Sequence, residues 1–248
     1  LLLSLLFVAA LWAGIQNALA GGGSFVTLPA LMLTGLDART ANIASTLALF
    51  PAQMTTGWVG RHNVSGVAGL GFRALTIISL AGGAVGAALL LLTSSSFFGH
   101  LVPWLVLFAT AVFAYGSFFS RLKEGEGPKI GAPAAGVAQF FIAIYGGYFG
   151  GGIGFLMLAA LTGAGLAMRA AGATKNVLAG VMNAAAVAIF LFTPDIPWLT
   201  VAVTCAGAVI GGYVGALLLR RANERFVRAF VVLLGAGLTI GLFIRSGG

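Results

Sequence analysis

Gly21-Gly-Gly-Ser-Phe-Val-Thr-Leu-Pro-Ala-Leu31 returns in outline as Gly150-Gly-Gly-Ile-Gly-Phe-Leu-Met-Leu-Ala-Ala160, a shift of 129 residues. The same shift lays Gly82, Gly83 and Gly86 on Gly211, Gly212 and Gly215, Phe97 on Phe226 and Thr110 on Thr239. One residue of slip brings Gln53 opposite Asn183 and Ala41 opposite Ala171. A constant offset along whole halves marks a duplication, which shared apolar composition does not produce.

Each half reads as five segments: 1–20, 25–36, 41–60, 70–92 and 101–120, then 134–149, 153–163, 173–193, 198–219 and 227–245. The organisation is a first repeat over 1–120, a charged Gly/Pro-rich linker over 121–133 and a second repeat over 134–248. The second segment of each half is too short to span. Twelve helical residues cover about 18 Å, against a hydrocarbon core of about 30 Å. A Gly triplet stands directly before each short segment. We expect a helix, a glycine break and a half-helix that enters a membrane and returns to the side it came from.

The solvent of these segments is lipid. The 248 residues are 60% hydrophobic and 7% charged, with a mean hydropathy of +1.07, whereas a soluble domain carries about 25% charged residues. The opening Leu1-Leu-Leu-Ser-Leu-Leu6 lacks an initiating Met, so the native N-terminus is expected upstream. This run imitates the apolar core of a signal peptide, but its recurrence at mid-chain makes it a structural helix. The one cysteine, Cys205, excludes an intrachain disulfide, and no Cys/His spacing suggests a metal site.

The net charge of +8 has a topological reading, because its basic residues lie between apolar segments; a nucleic-acid partner is not expected. With returning hairpins, eleven of the thirteen Lys and Arg share one side, leaving Arg39 and Arg245 opposite. An eight-span scheme that counts each hairpin as one crossing divides them seven against six. The positive-inside bias favours the first scheme. It makes the halves inverted repeats, puts the linker in the cytoplasm and leaves both termini periplasmic. The expected fold is an all-α integral membrane protein of two inverted repeats. Each is a Gly-broken hairpin plus three transmembrane helices, or eight spans by the usual count.

Broken helices are tolerated in a membrane only where protein or water satisfies the freed backbone groups. A bare helix N-terminus presents N–H donors and partial positive charge. Inverted-repeat transporters aim such ends at anions near the midplane. Gly22, Gly23, Gly151 and Gly152 would let a ligand reach the backbone; the rival reading is tight helix crossing alone. Gln53 and Asn183 each offer donors and an acceptor. Ser24, Thr27, Thr46 and Asn176 lie near the breaks or on the helices after them. Any of these six side chains could instead be interhelical glue. Lys175, whose counterpart is Ser45, either draws an anion inward or anchors the helix at the boundary.

Asp37, Glu124, Glu126, Asp195 and Glu224 all fall in or beside loops, which argues against a carboxylate proton relay. No Walker motif is present and no cofactor is indicated. Ser24 among glycines faintly suggests a membrane serine hydrolase. His62 and His100 fall in expected loops, and neither pairs with Ser24 in sequence, so no enzyme is expected.

With these residues laid out, the chain resembles the TauE/SafE sulfite exporter family, also called TSUP, over nearly its full length. The resemblance rests on the stretch from Gly21 and the later Ala41-Asn-Ile-Ala-Ser-Thr. It rests equally on Gly150-Gly-Gly-Ile-Gly followed by Ala173-Thr-Lys-Asn-Val-Leu-Ala-Gly. It implies transport of sulfite, sulfoacetate or related sulfonates across the bacterial cytoplasmic membrane. The family is described with eight spans, in contrast to the paired hairpins. Leu158 stands where the first half has Pro29, so the breaks need not be equivalent. An anion channel of the same architecture is the alternative, and a structural scaffold would leave the paired breaks unexplained.

Overall fold

The computed structural model describes residues 1–19, 22–115, 130–218 and 224–246. The linker residues 121–129, Gly21 and the basic residues Arg220 and Arg221 lie outside the described residues. Ten α-helices are described: α1 (Leu2–Leu19), α2 (Ser24–Leu33), α3 (Ala38–Gly60), α4 (Phe72–Leu92) and α5 (Ser95–Ala114) in the first half. The second half contributes α6 (Ala132–Tyr148), α7 (Ile153–Gly163), α8 (Met168–Phe190), α9 (Trp198–Leu218) and α10 (Glu224–Ser246). Among the described residues the only β pairing is the isolated bridge between Val67 and Leu70.

The two short segments are helices of 10 and 11 residues, about 15–17 Å long. Each stops at a glycine with φ of +95°, Gly35 and Gly165. Beyond Gly35, Asp37 caps α3 by accepting from the Arg39 and Thr40 N–H groups at 3.1 and 3.2 Å. Burial opposes its charge, but hydrogen bonds from Thr40, Ser95 and Arg39 outweigh that and hold the carboxyl below its ordinary value. The Arg39 guanidinium donates to the Thr93 carbonyl at 2.9 Å, which ties the start of α3 to the end of α4.

Among the described residues, four helices are long and apolar enough to cross a membrane: Phe72–Leu92, Ser95–Ala114, Ala170–Phe190 and Trp198–Gly215. Helix α3 equals α8 at 23 residues, but its Asn42, Ser45, Thr46, Gln53, Thr55 and Thr56 keep it out of that set. The outer surface carries Trp104, Leu199, Tyr213, Leu233 and Ile240, all more than half exposed. A belt of this kind is stable in hydrocarbon and would be a liability in water.

The halves interlock. Methyl groups added at Gly82 and Gly86 of α4 would strike the Phe140 and Ile144 carbonyls of α6. Their mates Gly211 and Gly215 of α9 face the Leu11 and Ile15 carbonyls of α1, the same contacts shifted by 129 residues. Between them, Gly83 abuts Met182 of α8 and Gly212 approaches Ala52 of α3. The fourth helix of each half is thus wedged between the first and third helices of the other. Small residues permit this approach in lipid, where association depends on packing and not on expulsion of water.

Equivalent helices pass each other antiparallel. Along α3 and α8, Gly57 faces Asn176, Met54 Sδ approaches Gly180, and Asn183 donates to Gln53 Oε1. Along α5 and α10, Thr110 faces Gly235 and the Trp104 ring meets Phe243 at 5.0 Å. The α3–α4 loop reaches the start of α8, where the Ser65 N–H donates to Thr174 Oγ1 at 3.0 Å.

Two stability predictions follow from this packing. In detergent, Gly86→Val should lower the thermal midpoint by an overpacking cost of about 1–3 kcal/mol. Gly99→Ala, where a Cβ meets nothing within 4 Å, should leave the midpoint unchanged or raise it. Equal behaviour of the two variants would refute the wedge. A double-mutant cycle of Gln53→Ala and Asn183→Ala should return a coupling of about 0.6–1.7 kcal/mol, the range for interhelical hydrogen bonds in membranes; zero coupling would show the bond to be absent.

Candidate functional site

The chain itself closes the first break. Gly22 takes φ of +77°, a left-handed conformation that glycine adopts without strain. Its carbonyl accepts from Gln16 Nε2 at 3.2 Å and from the Phe25 N–H at 3.0 Å. The Gly23 N–H reaches Asn17 Oδ1 at 3.4 Å, and the Gly23 carbonyl accepts from the Val26 and Thr27 N–H groups. Thr27 Oγ1 also donates to that carbonyl at 3.3 Å and lies 2.6 Å from Ser45 Oγ. Since Thr27 spends its proton on Gly23, Ser45 must donate to Thr27. Gln16 is buried, and its Oε1 has no partner among the described residues.

The second break is left open. Phe149 and Gly150 donate to the Tyr145 carbonyl as α6 ends, and Gly152 caps α7 with φ of +72°. No side chain caps the start of α7, and the turn through Gly151 and Gly152 is closed by backbone alone. Lys175 stands over this turn, its Nζ 3.5 Å from where a Gly154 Cβ would be. The ammonium makes no ion pair or hydrogen bond among the described residues. An ammonium and the uncapped start of α7 therefore lie side by side.

Between the breaks lies the Phe25 ring, 1% exposed. Its side is 3.2 Å from a Cβ position on Gly22, and its tip is 3.5 Å from one on Gly152. Tyr148, at the end of α6, is tied to the first half. Its carbonyl accepts from Asn42 Nδ2 at 3.1 Å, its hydroxyl meets Thr93 Oγ1 at 3.3 Å, and its ring packs edge-on against Phe98.

The residues singled out in the sequence thus fall into three places. Gly22, Gly23 and Thr27 form the closed break; Gly151, Gly152 and Lys175 form the open one. Gln53 and Asn183 bond to each other at the α3–α8 crossing, with Asn183 Oδ1 buried and unpartnered among the described residues. Thr46 turns back on its own helix and donates to the Asn42 carbonyl at 3.0 Å. Ser24 and Asn176 are half-buried, and their side chains make no hydrogen bond among the described residues. His100 lies within α5, not in a loop, with Nδ1 2.8 Å from the Ser96 carbonyl. Sequence reasoning missed Asn42, Tyr148 and Phe25 as site residues; only Asn42, a lone amide in an apolar run, carried a readable signal.

Comparison with known proteins matches this architecture to membrane transporters. The profile of the sulfite exporter TauE/SafE family matches residues 6–242. A probable membrane transporter protein of Haemophilus influenzae is 28% identical over 250 residues, covering 99% of this chain and 96% of its own. The probable membrane transporter protein YfcA of Escherichia coli is 27% identical over 254 residues, covering 100% of this chain and 92% of its own. A probable membrane transporter protein of Sinorhizobium sp. is 26% identical over 246 residues, with 97% and 92% covered. No solved structure matches. A profile that runs from the first helix to the last, over a multi-pass helical bundle, leaves one assignment: the chain belongs to the TauE/SafE family of membrane transporters.

Proposed function

We propose that the protein is a secondary transporter, an exporter or uniporter, of small sulfur-containing or organic anions across the bacterial cytoplasmic membrane. Sulfite, sulfoacetate and related sulfonates are the substrates that fit. The observation that carries this reading is the approach of Lys175 Nζ to Gly154 at the start of α7, a helix end that no side chain caps. An ammonium with no carboxylate beside it, at a helix N-terminus, is a pair that an oxyanion completes.

The inverted arrangement belongs to the same proposal. The Ser65–Thr174 bond joins the loop after α3 to the start of α8. In the returning-hairpin scheme those two regions share the cytoplasmic face, whereas the eight-span scheme parts them. The antiparallel passage of α3 and α8 supports the same choice. An anion channel of this architecture is the second reading; the ring filling the space between the breaks argues for a carrier.

Purified protein in liposomes should move at least one of sulfite, sulfoacetate and thiosulfate, with a rate that depends on an imposed potential. The drive is about 2.3 kcal/mol per charge per 100 mV. Lys175→Gln should raise the half-saturating concentration at least about tenfold, since a hydrogen bond to a charged group is worth about 1.5–3 kcal/mol. Flux of zwitterionic taurine alone, indifferent to voltage, would sink the anion reading. In cells, alkaline phosphatase fused after residue 248 should be active and a fluorescent protein at the same site dark. The reverse pattern would overturn the periplasmic placement of the C-terminus.

A further inference from the structure

We propose that Phe25, on the first turn of α2, is the ring that gates access to the open break of the second half. The proposal deepens the anion reading, on which it rests for what the gate guards. Three features of α2 carry it.

The first is position. The ring spans from Gly22 to Gly152, and it abuts the wall where Ala109 lies 2.7 Å from a Gly152 Cβ position. It approaches Gly152 tip-first, and the edge of an aromatic ring carries partial positive charge. Such a ring shuts out water without repelling an anion at the start of α7.

The second is a loosened mount. In an α-helix the N–H of residue 29 would hold the carbonyl of residue 25. Pro29 has no N–H, and its ring crowds that carbonyl. The turn that carries Phe25 therefore lacks one helix bond at its C-terminal side, while Gln16 and Asn17 hold its entry at Gly22 and Gly23. The matching position of α7 is Leu158, which keeps its amide. The ring-bearing turn and the anion-holding turn thus belong to different halves.

The third is the setting of the ring. Beside it, Leu28 and Met32 of α2, Val106 of α5, and Leu238 and Leu242 of α10 line a shallow apolar cleft. Displacing the ring requires these side chains to repack, but it desolvates no polar group.

The test uses the absence of any second thiol. In a Cys205→Ser background, Ala109→Cys places a reporter where the tip of Phe25 touches the second break. The reconstituted protein is treated with a membrane-impermeant charged methanethiosulfonate, and the labelling rate is measured. A minor open state is populated at about 0.1–10%, so Phe25→Ala should speed labelling at least about tenfold. Phe25→Trp and Pro29→Ala should slow it. Equal rates in all four proteins would overturn the gate. Circular dichroism and size-exclusion chromatography check folding; if Phe25→Ala does not fold, Pro29→Ala alone decides, with an unchanged rate refuting the proposal. The readout needs no transported anion. A failed flux panel with ring-dependent labelling would remove the anion reading and keep the gate, and the opposite result would do the reverse.

Discussion

Hydrocarbon offers no hydrogen bonds, so every backbone group at membrane depth must find its partner inside the protein. This constraint governs the whole arrangement. Helices of 10 and 11 residues end inside the bundle, and each leaves up to four N–H groups without helical acceptors. Two side-by-side halves would put those ends against lipid. The interlocked packing, with α4 set against α6 and α8 and α9 against α1 and α3, instead gives each break a wall from the opposite half. Tyr148 shows the dependence most directly, since the chain just before the second break is held by Asn42, Thr93 and Phe98 of the first half.

The two glycine breaks occupy matching places 129 residues apart, yet their chemistry differs. In the first, Asn17, Gln16, Thr27 and Ser45 answer the exposed groups. In the second, the position of Ser45 is taken by Lys175, and no side chain caps the start of α7. A helix end that is already satisfied is a poor ligand site, because a ligand must displace the bonds that exist. An uncapped end next to a cation is a costly feature to keep buried unless something binds there. Symmetry set the scaffold, and its local loss set the site.

The legible part of this protein was the part that spacing encodes. The 129-residue repeat, the two short helices and the glycine wedges all follow from where glycines fall in the sequence. Helix boundaries came within a few residues, apart from α5, which begins at Ser95 where Ser94 caps it through the Phe97 N–H and not near 101. The pairing of Gln53 with Asn183 was visible as symmetry, but their bond to each other was not, because two mates touch only if the axis passes between them. The inequality of the breaks was partly visible in Lys175 against Ser45 and in Pro29 against Leu158. Which break is closed depends on Asn17 reaching Gly23 and Thr27 reaching Ser45, contacts set by how α1 and α3 lie over α2. Phe25 was invisible as anything but core, since an apolar residue in an apolar run carries no signal of what it separates.

The separation of the two tasks has an electrical consequence for a carrier. If Lys175 itself rocked through the membrane field, an unloaded cycle would carry a positive charge, and a bound monoanion would cancel it. The voltage would then act on the empty protein. Helix α8 is instead pinned along its length, by Thr174 to Ser65, by Asn183 to Gln53 and by Met182 against Gly83. The ring-bearing turn of α2 carries no charge. In the proposed carrier, an uncharged ring moving past a fixed ammonium would leave the substrate's own charge as the only one to cross the field. For the anion proposed above, a negative interior would then assist every outward step, with no carboxylate relay and no second ion required by the electrostatics.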